Sequence, residues 1–235
     1  MFSKFTPKFI WKGYLTAFVC VVLWAVLFFL TQTVQALPVN KKIIVIDAGH
    51  GDWDPGKMSK NVHEKDINLA ITEKLQWLFE LGGAVVLTTR STDAALAQGK
   101  REDLGARARL ANTANADIYL SIHQNSFESP SVSGGQVFYY ADSESSKILA
   151  EKIQVHLNTF VGDHRGAPRN RESKASDTYY VLKRTSMPAV IVECGFMSNA
   201  KDLKLLQDED FQERIAWAVY MGVIDYFKET DKPQQ

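Results

Sequence analysis

Six short apolar runs punctuate the chain: 42–47 (KIIVID), 84–88 (AVVLT), 118–122 (IYLSI), 136–140 (QVFYY), 179–182 (YYVL) and 189–193 (AVIVE). Each is rich in β-branched or aromatic residues and reads as a strand. Between them the apolar period lengthens to that of a helix: 64–81, with Ile67, Ile71, Leu75 and Leu78 on one stripe, then 102–114, 145–160 and 211–226. Strands that are apolar throughout, rather than alternating, belong to a sheet covered on both faces. The expected fold is therefore α/β, a three-layer sandwich with an approximately six-stranded, mostly parallel or mixed twisted sheet and helices on both faces. In such sheets ligands bind beyond the carboxyl ends of the strands.

Three strand ends carry polar groups that an apolar strand has no packing reason to hold. They are Asp47 and His50 after the first run, His123 after IYLSI, and Glu193 closing AVIVE. Glu64 joins them if the loop 51–62 folds back over that edge of the sheet. Two imidazoles and one carboxylate (His50, His123 and Glu64) are a ligand set suited to a single catalytic zinc ion with a fourth position left for water. Gly49 and Gly51 let the backbone turn sharply at His50, although a tight turn bearing a solvated histidine uses the same residues. A phosphate-cradling loop is disfavoured because the third glycine spacing fails at Asp54. Glu64 has a competing reading as the far end of a capping box with Asn61. His63-Glu64 lacks a second histidine four residues after the first, so a zincin motif is absent and His63 is expected to be solvated.

Burial at the end of AVIVE should raise the pKa of Glu193 and a nearby dication should lower it, which suits a general base. Such a group takes a proton from the attacking water and returns it to the leaving amine. The alternative is a buried ion pair with an arginine. Asn125 is a candidate donor to a substrate carbonyl or a cap of its own turn. Residues 164–176 (HRGAPRNRESKAS) are basic and poor in apolar side chains, so a mobile surface loop is expected. As a flap it would offer Arg165, Arg169 and Arg171 to substrate carboxylates, and Arg171 is carried forward with Asn125 as a substrate-binding candidate. His156 sits in a helix as a surface residue. Arg101, Arg107 and Arg109 are read as exposed helix charges, with Arg107 four residues after Asp103. Cys194 has no basic neighbour in sequence to lower its pKa and is read as a packing residue; it and Cys20 lie in segments not expected to meet.

With 235 residues, 46% hydrophobic and 23% charged, the chain suits one well-buried domain. The 27 basic side chains balance 27 acidic ones, so global charge gives no argument for nucleic acid. Ahead of the domain, Lys4, Lys8 and Lys12 precede an apolar stretch at 14–30, and Val34-Gln35-Ala36 follows as a small-residue cleavage pattern. Residues 1–36 are expected to be a signal peptide or a membrane anchor, with both readings open, and 37–235 an exported catalytic domain. Contact with a membrane is expected only through that N-terminal segment.

The segments IVIDAGHG, HEKDINLAI, ADIYLSIHQNS, GGQVFYY and YYVLKRTSMPAVIVECGFMSN, in that order, resemble the zinc-dependent N-acetylmuramoyl-L-alanine amidases of the amidase-3 family. The likeness runs from about residue 43 to 226. It implies hydrolysis of the amide between the lactyl group of N-acetylmuramic acid and L-alanine of the peptidoglycan stem peptide. Carried over position by position, the family's zinc ligands fall on His50, Glu64 and His123 and its catalytic glutamate on Glu193. The chain departs from the family's glycine-rich sequence after the first histidine, with Asp52 and Trp53 before Asp54, Pro55 and Gly56. It is expected to be without an appended wall-binding module or the regulatory helical insert of some relatives.

The single domain behind an export segment, with GGQVFYY and VECGFMSN, looks most like the spore-cortex, germination-specific (CwlD-type) members. That likeness implies the first step of muramic-δ-lactam formation in the spore intermembrane space, with a lipoprotein activator and a deacetylase acting next. Competing expectations are a non-catalytic peptidoglycan-binding protein, or a zinc peptidase or deacetylase of the same fold.

Overall fold

The computed structural model describes residues 14, 16–24, 36–162 and 171–231. The chain forms two units, Met1–Ala36 and Leu37–Gln235. In the first, the described residues 14 and 16–24 are helical, and no helix among the described residues is long and apolar enough to cross a membrane. The remainder of the apolar stretch, with Val34 and Gln35, lies outside the described residues, as do His164, Arg165 and Arg169.

The second unit runs β1 (Ile43–Ala48), β2 (Met58–Ser59), β3 (Val62–His63), α1 (Glu64–Leu81), β4 (Val85–Thr88), α2 (Lys100–Thr113) and β5 (Ile118–Asn125). It continues through β6 (Gln136–Tyr140), α3 (Glu144–Phe160), β7 (Lys174–Ser176), α4 (Tyr180–Arg184), β8 (Ala189–Phe196), α5 (Ala200–Leu206) and α6 (Glu209–Thr230). The main sheet has six strands in the order β4-β1-β5-β8-β6-β7. The pairs β4–β1, β1–β5, β5–β8 and β6–β7 are parallel, and β6 runs antiparallel to β8. This is the mixed, helix-covered sheet that the apolar runs predict.

Strand alternation divides the side chains between two cores. Ile44, Ile46, Leu120, Ile122, Val190 and Val192 face α1, α3 and α6, where Ile71, Ile153 and Val219 complete one cluster. Val45, Tyr119, Ala189 and Ile191 face the other way, against Ala111 of α2 and Val181 and Leu182 of α4. By the same parity Asp47, Ser121, His123 and Glu193 project on the α2 and α4 side, so one sheet face carries the polar groups of three adjacent strands.

The run 179–182 is not a strand. It begins the short helix α4, because Val181 and Leu182 must reach down into the second core from above the sheet. The edge place is taken instead by β7, whose Lys-Ala-Ser sequence carries no apolar signal because an edge strand here is largely exposed. That strand lies inside the segment expected to be a loop. Helix α5 was also hidden in the sequence; Asn199 caps it by accepting from the amides of Lys201 and Asp202.

Arg107 is not an exposed helix charge. Its side chain is 2% exposed, and its guanidinium donates to Asp47 Oδ1 at 2.6 Å and to Asp103 Oδ2 at 2.6 Å. Asp47 also accepts from Thr89, Tyr119 and Ser121. Burial alone would push its pKa up, but Arg107 and the hydroxyl donors hold the carboxyl well below the usual carboxylate range. Removing one partner of such a pair strands the other charge in the protein interior. Asp47→Ala should therefore lower stability by about 3–5 kcal/mol in urea unfolding, a loss far above that of an exposed ion pair.

Candidate metal centre

The turn after β1 brings His50 over the end of β5. His50 itself holds a left-handed backbone, φ 65°, followed by Gly51 at φ 135°. A non-glycine residue in this region is uncommon and costs on the order of 1 kcal/mol, so surrounding contacts must impose it. They are visible: Arg107 Nη2 donates to the His50 carbonyl at 2.8 Å and Nη1 to that of Ala48 at 2.9 Å. Arg90 Nη2 and Asn68 Nδ2 both donate to the Gly49 carbonyl. The strained turn is thus clamped from two directions.

The loop 51–62 does fold back over the strand ends, closed by a bridge between Gly51 and Asp54 and by the β2–β3 hairpin. Helix α1 then starts with Glu64 beside His50 and His123. His63 occupies the N-cap position without a side-chain hydrogen bond, so the capping box with Asn61 does not form. The Glu64 carboxylate instead accepts from the amides of Lys57, at 2.8 Å, and Gln124, at 3.0 Å.

Glu64 Oε1 lies 3.2 Å from His50 Nε2 and 3.0 Å from His123 Nδ1. Ligands held about 2.0–2.1 Å from a tetrahedral ion sit roughly 3.3 Å apart, so the two edges that meet at Glu64 are close to those of a zinc site, and all three ligand atoms lie within 4.8 Å of one another. Among the described residues, His50, Glu64 and His123 form the one group of histidines, cysteines and carboxylates that can converge on a metal ion. Two glycines make the convergence possible. A Cβ on Gly49 would come within 2.4 Å of His123 Nε2, and one on Gly56 within 2.6 Å of both Glu64 Oε2 and His50 Cδ2.

Asp54 was missed in the sequence. Its Oδ2 lies 2.8 Å from His50 Nδ1, where it can accept a hydrogen bond, while Nε2 is turned to Glu64. A carboxylate behind a ligating imidazole in this way orients the ring and raises its basicity. The only available signal was its position four residues after His50, in the segment where the chain departs from its family.

Glu193 pairs in register with His123 across β5 and β8. It is 7% exposed, and its Oε2 has no hydrogen-bond partner among the described residues, so the arginine ion pair does not form. Burial pushes its pKa up to about 7; the charges of His123 and His50 oppose the rise and that of Glu64 adds to it. Both histidines and both glutamates line one cleft of about 280 Å³, together with Asn125, Tyr179 and Tyr180. Burial and the two glutamate charges push the Tyr179 hydroxyl up to about 12.

The remaining candidates are placed as follows. Asn125 lines the cleft and its Oδ1 accepts from the Ser126 amide, the turn-capping role. Arg171 donates to the Ser133 carbonyl and to Gln136 Oε1, and lies over the Phe196 ring. His156 pairs with Asp225 on the helical surface, His63 is half-buried beside Asp66, and Cys194 is buried.

A three-layer α/β hydrolase with a two-histidine, one-carboxylate cluster at its strand ends is the class that this fold and cleft define. Residues 44–225 match the N-acetylmuramoyl-L-alanine amidase family, and the chain belongs to it. It is 32% identical to the germination-specific N-acetylmuramoyl-L-alanine amidase of Bacillus subtilis over 208 residues, covering 85% of this chain and 86% of that one. Among solved structures it is similar to the CwlD amidase of Clostridioides difficile in complex with the GerS lipoprotein, at 41% identity and a TM-score of 0.75, over 80% of this chain and all of that one. The catalytic domain of the amidase CwlV from Bacillus (Paenibacillus) polymyxa is 33% identical with a TM-score of 0.70, over 80% of this chain and 98% of that one.

Two outcomes follow from the geometry. Asp54→Ala should weaken divalent-metal affinity about 10- to 100-fold, measured by competition with a chelating dye, because His50 loses the partner that sets its tautomer. In metal-free protein, the raised Glu193 pKa means that the folded state keeps a proton that the unfolded state releases between pH 4.5 and about 7. Stability therefore falls as pH rises through that window. Glu193→Gln should remove its share of the fall and leave the part due to His123, whose pKa Glu64 raises, being about as stable as wild type at pH 4 and more stable by on the order of 2–3 kcal/mol at pH 8 in urea titrations.

Proposed function

We propose that the chain is a zinc-dependent amidase that hydrolyses the bond between N-acetylmuramic acid and L-alanine of the peptidoglycan stem peptide. The observation that carries the reading is a buried carboxylate without a partner, Glu193, standing in register beside a ready-made His-Glu-His cluster. His50, Glu64 and His123 would hold the zinc ion. A zinc ion there supplies polarisation of the scissile carbonyl and acidification of the attacking water.

Glu193 provides the proton traffic. Burial keeps its basicity near neutrality, so it can accept a proton from the attacking water and deliver it to the departing L-alanine nitrogen. Asp54 holds His50 in the ligating tautomer, and the amides of Lys57 and Gln124 hold the Glu64 carboxylate in place. Asn125, at the wall of the cleft, is assigned to the substrate backbone. Arg171 is assigned to the substrate side through Gln136, which pairs in register with Glu193.

Residues 1–36 are proposed as the export segment and 37–235 as the catalytic domain, placing the enzyme outside the cytoplasmic membrane. The likeness to the germination-specific relative and to CwlD supports a role in the spore cortex, where peptide removal precedes deacetylation and δ-lactam closure. The neighbouring structure, solved in complex with a lipoprotein, supports a lipoprotein partner here, assigned as an activator.

Metal analysis combined with mass spectrometry of digested muropeptides tests the whole reading. Wild type should bind about one zinc ion and release intact stem peptides, and cortex from spores lacking the protein should lack muramic-δ-lactam. Glu64→Ala should lose the metal. Glu193→Ala should keep it and lose turnover by on the order of 100-fold or more; near wild-type turnover in that variant would sink the mechanism, and muropeptide binding without release by loaded wild type would sink the amidase reading.

A further inference from the structure

A second cavity, of about 370 Å³, opens beside the catalytic cleft, and Tyr180 lines both. Arg101 from the first turn of α2, and Lys183 and Arg184 from the end of α4, line the rest of it with one carboxylate, Asp177. The two arginines converge on one ring: Arg101 lies 5.9 Å and Arg184 5.4 Å from the Tyr180 centroid. Lys183 Nζ lies 6.0 Å from the Tyr140 ring. Ring contacts of this kind orient a cation without neutralising it.

These cations differ from the other arginines around the cleft. Arg107 is committed to Asp47 and Asp103, and Arg90 to the carbonyls of the His50 turn. Among the described residues, neither Arg101, Lys183 nor Arg184 takes part in an ion pair. Three cations gathered around one cavity repel one another, and an anion seated among them removes that cost. The cavity adjoins the place where an amide is cut, and a peptide joined to its glycan through its N-terminus carries its free carboxylates on the far side of that bond.

We propose that the cavity walled by Arg101, Tyr180, Lys183 and Arg184 is a subsite for the carboxylates of the acidic peptide half of the substrate. The leaving peptide crosses Tyr180 and is held at its acidic groups while Glu193 acts at its nitrogen. This assignment rests on the amidase reading for the identity of the peptide, but binding tests it without turnover.

Full-length protein is titrated by NMR or calorimetry with a stem peptide bearing free carboxylates and with the same peptide fully amidated. Wild type should prefer the acidic peptide about 10-fold, a preference that shrinks with salt. The double variant Arg101→Gln, Arg184→Gln should lose the preference, and Arg101→Lys, Arg184→Lys should restore most of it. In turnover of acidic muropeptides the glutamine variant should raise KM and leave kcat unchanged. Equal binding of the two peptides by wild type overturns the subsite. So does an equal loss for both peptides in the glutamine variant, which would mark a structural role. Charge-selective binding without cleavage of any muropeptide would keep the subsite and remove the amidase reading instead.

Discussion

The guanidinium of Arg107 is the joint on which the site depends. It ties α2 to the sheet by pairing with Asp47 at the end of β1, is itself oriented by Asp103 one turn earlier on α2, and holds the carbonyls of Ala48 and His50. A left-handed conformation at His50 would otherwise relax, and with it the position of the first imidazole. The buried charge pair contributes little net stability by itself, since desolvation offsets much of its attraction. Its role is geometric. It converts the carboxyl end of an ordinary parallel strand into a fixed turn with one ring nitrogen facing inward.

Around that turn the site is assembled from elements distant in sequence, each with its own restraint. Asp54 orients the His50 ring, two backbone amides hold Glu64, and glycine at 49 and 56 leaves room for the rings and the carboxylate to close up. Glu193 is the exception, buried with Oε2 unpartnered among the described residues. A carboxylate in that state is costly to ionise, and the cost is what keeps its proton affinity near neutrality. Where Arg107, Glu64 and Asp54 are satisfied by neighbours, Glu193 Oε2 has no hydrogen-bond partner among the described residues.

The two walls of the cleft differ in character. On the side of β5 and β8 lie the polar strand ends; on the side of α2 and α4 lie Tyr179, Tyr180 and the cations beyond. The short helix α4 matters here out of proportion to its length, because its buried residues Val181 and Leu182 anchor it to the second core while Tyr180, Lys183 and Arg184 face the cleft and its neighbour. Packing on one side of α4 places a tyrosine and two cations on the other.

Much of this was legible in one dimension. Continuous apolar runs announced a sheet covered on both faces, because such strands have no solvent side, and His50, His123 and Glu193 stood out as polar groups where apolar strands end. Glu64 was legible only through the family resemblance, since its local context also spelled a capping box. The sequence could not show that Arg107 is buried, that Asp54 backs His50, that 179–182 turns into a helix, or that the polar residues 174–176 form the edge strand. Most of those outcomes depend on partners far away in sequence, such as Arg107 with Asp47 and the edge strand 174–176 with 138–140. Local patterning by itself determined most of the strands and helices and which polar residues interrupt them, because burial of apolar side chains dictates the period. Only the tertiary structure decided which charges are spent on one another and which, like Glu193, are buried without an ion-pair partner among the described residues, because those pairings join segments distant in sequence.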